Sequence, residues 1–311
     1  MILLIKRKSL FQRLSMPLPE LEQYYREQRQ VRFENNEPFH GVKFRKALHP
    51  VLVCSLKLMH LINGQKITVI GDKRTATNRP VIFAATHIGW DDIEMIFTAV
   101  GDHAYLFWGD PRESYKTIDG VLLDLNGAVI CDTDNKTDRY IGKETCVRWL
   151  EQGGNLLIFP EGVWNTSENL PVQHLFSGTA EMAIRTNADI MPVAISQVGK
   201  EYRVNIGANI SCDGFTLIQK QALTGYLRDA MATLKWEIYE TQPMTKRSSI
   251  SHNYAVEYRK KFLEQAQGVY TWEDFVNTAY HPKNVTTAKE AFAHLDQLIP
   301  CRENAFLFKK E

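Results

Sequence analysis

From Lys66 onward the chain alternates short apolar, β-branched runs with stretches of helical periodicity, and this alternation restricts the fold more than any other feature of the sequence. The runs fall at residues 67–70, 81–85, 104–108, 128–131, 155–159, 190–195 and 202–206. Strands separated by helices build an α/β fold around a central, mostly parallel sheet with helices on its flanks. Leu156, Leu157, Ile158 and Phe159 are apolar without alternation, as strands covered on both faces must be. Beyond the last run, Leu223, Leu227, Met231, Leu234 and Ile238 write one apolar stripe at three-to-four spacing, the core-facing side of a helix.

The 311 residues suffice for two domains or one elaborated α/β domain. With 44% hydrophobic and 23% charged residues, disorder and fibrous repeats are excluded. The expected organisation is a basic helical segment over 1–65, an α/β domain over 66–240 and a helical C-terminal extension over 241–311. Pro282 and Pro300 are the expected breaks in that extension, and its residues suggest no chemistry.

A net charge of +1 conceals an uneven distribution, because the first sixty residues carry a net +6 and the rest −5. Residues 18–36 and 44–62 read as helices, and a basic, apolar helix pair suits an anionic membrane surface, with lysine and arginine at the headgroups. An ordinary helical cap on the core is the alternative. The longest charge-free stretch, residues 169–180, has twelve residues and contains a proline, so no spanning helix is expected. Residues 1–5 are too short for the apolar part of a signal peptide. Five cysteines, none closer than fifteen positions to another, fit free buried thiols in a reducing compartment and neither a disulfide framework nor a zinc site. The expected location is cytoplasmic, peripheral on the inner face of a membrane. The basic segment lacks the motifs of nucleic-acid binders, so no nucleic-acid partner is expected.

The run at 81–85 leads into Thr86, His87, Ile88, Gly89, Trp90, Asp91 and Asp92, where a helix begins. Ligands of open α/β sheets bind beyond the carboxyl ends of strands, which is where His87 stands. An acid five positions later, across a turn that Gly89 permits, can accept the Nδ1 proton and leave Nε2 free as a base; Asp92 fits that role. Asp91 with Glu94 three residues on reads as a helix capping box. A satisfied histidine at a strand end would look the same as His87 in isolation. A second junction, the run at 155–159 followed by Pro160, Glu161 and Gly162, brings another acid and a glycine to the same sheet edge.

These residues resemble the lysophosphatidic acid and glycerol-phosphate acyltransferases, the PlsC-like family. His87 to Asp92 looks like the family's H-x-x-x-x-D block, and Phe159-Pro160-Glu161-Gly162 like its F-P-E-G block. Gly127 to Asp132 is similar to its strand block and Ile190 to Ile195 to its closing proline-valine strand. The resemblance implies a general base, His87 oriented by Asp92, that deprotonates an acceptor hydroxyl. The hydroxyl then attacks the thioester of acyl-CoA or acyl-carrier protein, with no acyl-enzyme, cofactor or metal. It also implies that Glu161 organises the acceptor or its loop and that Gly162 gives the backbone freedom there. Two departures stand out: Val163, Trp164 and Asn165 follow where the family has Thr and Arg, and Thr133 stands where its strand block ends in Arg. Trp164 is therefore expected on the acceptor side, where Trp164→Arg would restore phosphate selection. Arg112, Lys116, Lys136 and Arg139 are the substitutes at hand, Arg112 and Arg139 foremost. The acceptor is expected to be a lysophospholipid or glycerol phosphate, with a non-phosphorylated alcohol or an amine as the alternative. A lipid-surface binding protein without turnover is a further reading.

Overall fold

In the computed structural model, which describes residues 8–109, 125–167, 170–242, 246–266, 270–282 and 299, each of the seven apolar runs is a strand. They are β1 (Lys66–Asp72), β2 (Val81–Ala85), β3 (Tyr105–Gly109), β4 (Ala128–Cys131), β5 (Leu156–Ile158), β6 (Asp189–Val198) and β7 (Glu201–Ile206). One sheet runs in the order β1-β7-β6-β2-β5-β3-β4. Every neighbouring pair is parallel except β6 with β7, which a two-residue turn through Gly199 and Lys200 joins as a hairpin. Gly199 has φ +61°, the positive value such a turn requires of its first residue.

The lack of alternation in the strands has the expected cause. In β2, Ile82 and Ala84 enter one core with Trp149, Leu150, Met182 and Leu227, while Val81, Phe83 and Ala85 enter the opposite core with Met95, Ile96 and Val204. The first core is closed by α5 (Lys136–Glu151), α6 (Gly178–Thr186) and α7 (Lys220–Glu240), and the second by α4 (Asp92–Val100). The stripe Leu223, Leu227, Met231, Leu234 and Ile238 is buried throughout on α7. Each such side chain stabilises the fold by about 1.5–3 kcal/mol relative to exposure.

Three helices precede the sheet: α1 (Leu10–Ser15), α2 (Leu18–Glu34) and α3 (Val42–Ile62). Arg29 of α2 forks onto both oxygens of Asp138 at 3.1 and 2.6 Å, and Arg26 reaches Asp132 at 2.6 Å. In α3, His49 pairs with Asn126 at 2.7 Å. These contacts dock the N-terminal helices beside β3 and β4. Phe44, Val51, Leu58 and Ile62 lie on one side of α3 and remain exposed, and Lys43, Lys46 and Lys57 are exposed elsewhere around the same helix.

The chain divides into two units, Met1–Tyr280 and His281–Glu311. The helices α8 (Tyr254–Gln265) and α9 (Trp272–Thr278) belong to the first, with the sheet. Cys131, Cys146 and Cys212 are buried free thiols as expected; Cys54 departs, being exposed on α3, and Cys301 lies outside the described residues.

Candidate active site

β2 delivers His87 through Thr86, whose backbone N–H still continues the sheet by donating to Val193 at 3.0 Å. Two residues after His87 the chain turns, and α4 begins on Asp92. Its carboxylate reaches back into the turn that precedes the helix, where backbone N–H groups are free of the sheet. Asp92 Oδ2 accepts from the N–H groups of Ile88 at 2.7 Å and Gly89 at 3.2 Å, and it lies 2.7 Å from His87 Nδ1. Asp92 is 0% exposed, whereas the His87 side chain is 19% exposed. The acid is thus fixed by backbone and the base is accessible. With Nδ1 carrying the proton that Asp92 accepts, Nε2 has a lone pair free for a substrate proton.

The loop after β5 holds His87 from the other side. Glu161, 0% exposed, accepts the His87 N–H at 3.1 Å on one oxygen and the Gln173 N–H at 2.8 Å on the other. Burial pushes its carboxyl up, and these two N–H groups oppose the shift. Asn165 donates its N–H to the His87 carbonyl at 2.9 Å, and the Phe159 ring stacks on the imidazole at 4.2 Å. Glu161 therefore ties the two loops together. Gly162 has φ +75°, and a Cβ there would lie 2.5 Å from the Phe176 ring, so the turn requires glycine.

One sequence expectation is corrected. Asp91 makes no capping box with Glu94; its side chain gives the helix no cap bond. Asp91 Oδ2 instead accepts from the Tyr202 hydroxyl at 2.7 Å and the Gln65 amide at 2.8 Å, tying the loop to β7 and the approach to β1. Trp164, expected on the acceptor side, is 5% exposed. Helices α8 and α9, from the segment in which the sequence suggested no chemistry, pack on the site itself. Trp164 sits among Trp90, Phe262 and Phe275 at ring distances of 5.0, 6.0 and 5.4 Å. Trp90 donates its indole N–H to the Gln265 carbonyl at 3.0 Å, and the Gln265 amide reaches the Ile88 carbonyl at 3.3 Å. Helices α8 and α9 thereby brace both reactive loops. The apolar pair Val163-Trp164, standing where the family has Thr and Arg, was the one sequence signal of this packing.

Of the substitute cations, Arg112 and Lys116 lie outside the described residues. Arg139, on the first turn of α5, donates to the Thr133 carbonyl, and Lys136 is exposed nearby. β4, which leads into that turn, stands three strand spacings from β2, roughly 14 Å across the sheet. The structure does not bring Arg139 to His87.

The profile of the Acyltransferase family matches residues 66–196, from the first strand through most of β6. Its central domain belongs to the acyltransferase family. A lyso-ornithine lipid O-acyltransferase of Pseudomonas aeruginosa is 28% identical over 121 residues, 39% of this chain; the match spans 45% of that relative's length. The fold of the acyltransferase domain and its flanking helices is similar to that of the 1-acyl-sn-glycerophosphate acyltransferase PlsC from Thermotoga maritima. That match has a TM-score of 0.52 at 17% identity and covers 74% of this chain and 95% of PlsC.

Proposed function

We propose that the protein is an O-acyltransferase that moves a fatty acyl group from a thioester, acyl-CoA or acyl-carrier protein, to the hydroxyl of a lysolipid. The observation that carries this reading is the 2.7 Å pair of His87 Nδ1 with a fully buried Asp92 inside an acyltransferase-family domain. His87 Nε2 takes the acceptor's hydroxyl proton as its oxygen attacks the thioester carbonyl. The tetrahedral intermediate expels the thiolate, the C–S bond breaks, and the proton on Nε2 passes to the leaving sulfur. Asp92 stabilises the imidazolium in between. Base assistance supplies about 10²- to 10⁴-fold, and alignment of the two substrates can supply more. Incubation with labelled acyl-CoA and a panel of lysolipids, with products identified by mass, tests the reading; no transfer to any lysolipid removes it.

The two missing arginines and the burial of Trp164 in an aromatic cluster favour an acceptor selected without a strong phosphate grip. A relative named for an ornithine lipid is in keeping with this. A charge-assisted hydrogen bond contributes about 1.5–3 kcal/mol, so losing one costs about ten- to a hundredfold in discrimination. The expected turnover ratio between a phosphate-bearing lysolipid and its dephosphorylated analogue is therefore near unity. A strong phosphate preference that Arg112→Ala or Arg139→Ala removes would mean that the grip has been relocated.

The exposed apolar residues of α3 and the basic N-terminal segment favour a peripheral position on an anionic membrane, on its cytoplasmic face. Among the described residues no helix is long and apolar enough to cross a membrane. Binding to anionic vesicles should fall as salt rises, because exposed charges are screened beyond about 8–10 Å, and deletion of residues 1–62 should weaken it. Equal binding to neutral vesicles would overturn the electrostatic part.

A further inference from the structure

The buried side of helix α7 is apolar apart from Thr224, whose hydroxyl donates to the Lys220 carbonyl of its own helix at 2.7 Å, and one charged residue. Lys235, between the buried Leu234 and the exposed Trp236, is 5% exposed. An ammonium taken out of water is costly unless it is compensated, and apolar replacements of buried charges are often neutral or stabilising. Packing therefore does not explain a lysine here.

Its surroundings do. The Lys235 ammonium donates to the Ile195 carbonyl on β6. The same carbonyl accepts the Thr86 hydroxyl at 3.4 Å, and that hydroxyl accepts the Ile195 N–H at 3.0 Å. Thr86 immediately precedes His87. From the other elements, the charged groups facing Lys235 are Glu161 on the loop after β5 and Asp92 at the start of α4. On its own helix, the Tyr239 ring lies 5.8 Å away. Both carboxylates are fully buried, and Asp92 Oδ1 has no hydrogen-bond partner among the described residues to offset its charge. Burial pulls the Lys235 ammonium down to about 8, and Glu161 and then Asp92 oppose that shift.

We propose that Lys235 is a positioning residue for proton transfer, the buried cation that balances Asp92 and Glu161 behind His87 and holds down the proton affinity of the imidazole. With Lys235 charged, the four groups carry a net −1 while His87 is neutral and zero once it has taken a proton. Without it, two uncompensated carboxylates would bind that proton more tightly and release it less readily to the leaving thiolate. The catalytic consequence rests on the acyl-transfer reading; the effect on His87 does not.

The test follows the His87 imidazole by NMR titration of the full chain, its signal assigned by its loss in His87→Ala. A unit charge within roughly 10 Å at an effective dielectric near 20 shifts a titration by about one unit. Lys235→Met should raise the His87 midpoint by that amount, about tenfold in proton affinity, while Lys235→Arg leaves it within about 0.3 unit. A folded Lys235→Met protein with an unchanged midpoint overturns the proposal. Should Lys235→Met not fold, Glu161→Gln and Glu161→Gln/Lys235→Met are compared. The double variant removes the Glu161 charge together with the cation and leaves Asp92 as the carboxylate that Lys235 would balance, and equal midpoints in the two overturn the proposal. In acyl transfer, the acidic limb of kcat/KM should move up with the NMR midpoint, which a merely structural lysine would not cause. A midpoint shift in a chain that acylates no lysolipid removes the acyl-transfer reading and leaves the role of Lys235 intact.

Discussion

His87→Ala is expected to slow acyl transfer by about 10²- to 10⁴-fold while the thermal unfolding midpoint stays within a few degrees of wild type. The imidazole is partly exposed, and besides its bond to Asp92, whose Oδ2 keeps the Ile88 and Gly89 N–H groups, its ring contacts among the described residues are those with Phe159 and Trp164. The backbone contacts that place residue 87, from Glu161 and Asn165, survive the substitution. Loss of the base alone removes about 10²- to 10⁴-fold. Asp92→Asn should be as severe, about 10⁴-fold by analogy with other buried acid-histidine pairs. An amide oxygen can still accept the Ile88 and Gly89 N–H groups, but it cannot stabilise the imidazolium, and its NH₂ can orient the wrong tautomer. Single-turnover assays with both variants at matched folded fraction check this. Near wild-type rates in His87→Ala would remove the histidine from the mechanism and leave positioning as the source of catalysis.

The parts of this site that were legible in the sequence are those fixed by local spacing. His87 and Asp92 are five residues apart, so a strand end, one glycine and a helix start determine their meeting. The inner strands β2 and β5 were legible because burial on both sheet faces leaves an unbroken apolar run in each. Asp91 was misread because the capping-box pattern is also local, yet its oxygen is claimed by Tyr202 and Gln65, 111 and 26 residues away. A competing long-range hydrogen bond leaves no periodicity to find. The same holds for Gln265, which meets Trp90 across 175 residues, and for Lys235, which meets Ile195 across 40. On α7, Lys235 reads as an ordinary helix residue beside an apolar stripe; only the sheet's order, which sets β6 beside β2, reveals the neighbours of its ammonium.

The position where the family carries arginine is the sharper test of what the C-terminal helices do. Read from sequence, Trp164→Arg restores a phosphate ligand; in the folded chain it places a guanidinium among Trp90, Phe262 and Phe275. Truncating a buried tryptophan costs about 3–5 kcal/mol, and an unpaired charge in its place adds desolvation. Stacking of the guanidinium on the rings returns about 0.5–2 kcal/mol, less than the loss. The expected outcome is therefore detachment of α8 and α9 from the loops that carry His87 and Glu161. Limited proteolysis should cut within residues 246–282 in the variant and spare them in wild type. Turnover should fall together for phosphate-bearing and dephosphorylated acceptors, because the Gln265 contacts to Ile88 and Trp90 that steady the histidine loop are lost with the helices. Trp164→Phe, which keeps an aromatic ring in the cluster, should retain most activity. A Trp164→Arg protein that resists proteolysis and gains preference for the phosphorylated acceptor would show that residue 164 faces the acceptor, and the bracing role assigned to the C-terminal helices would fail with it.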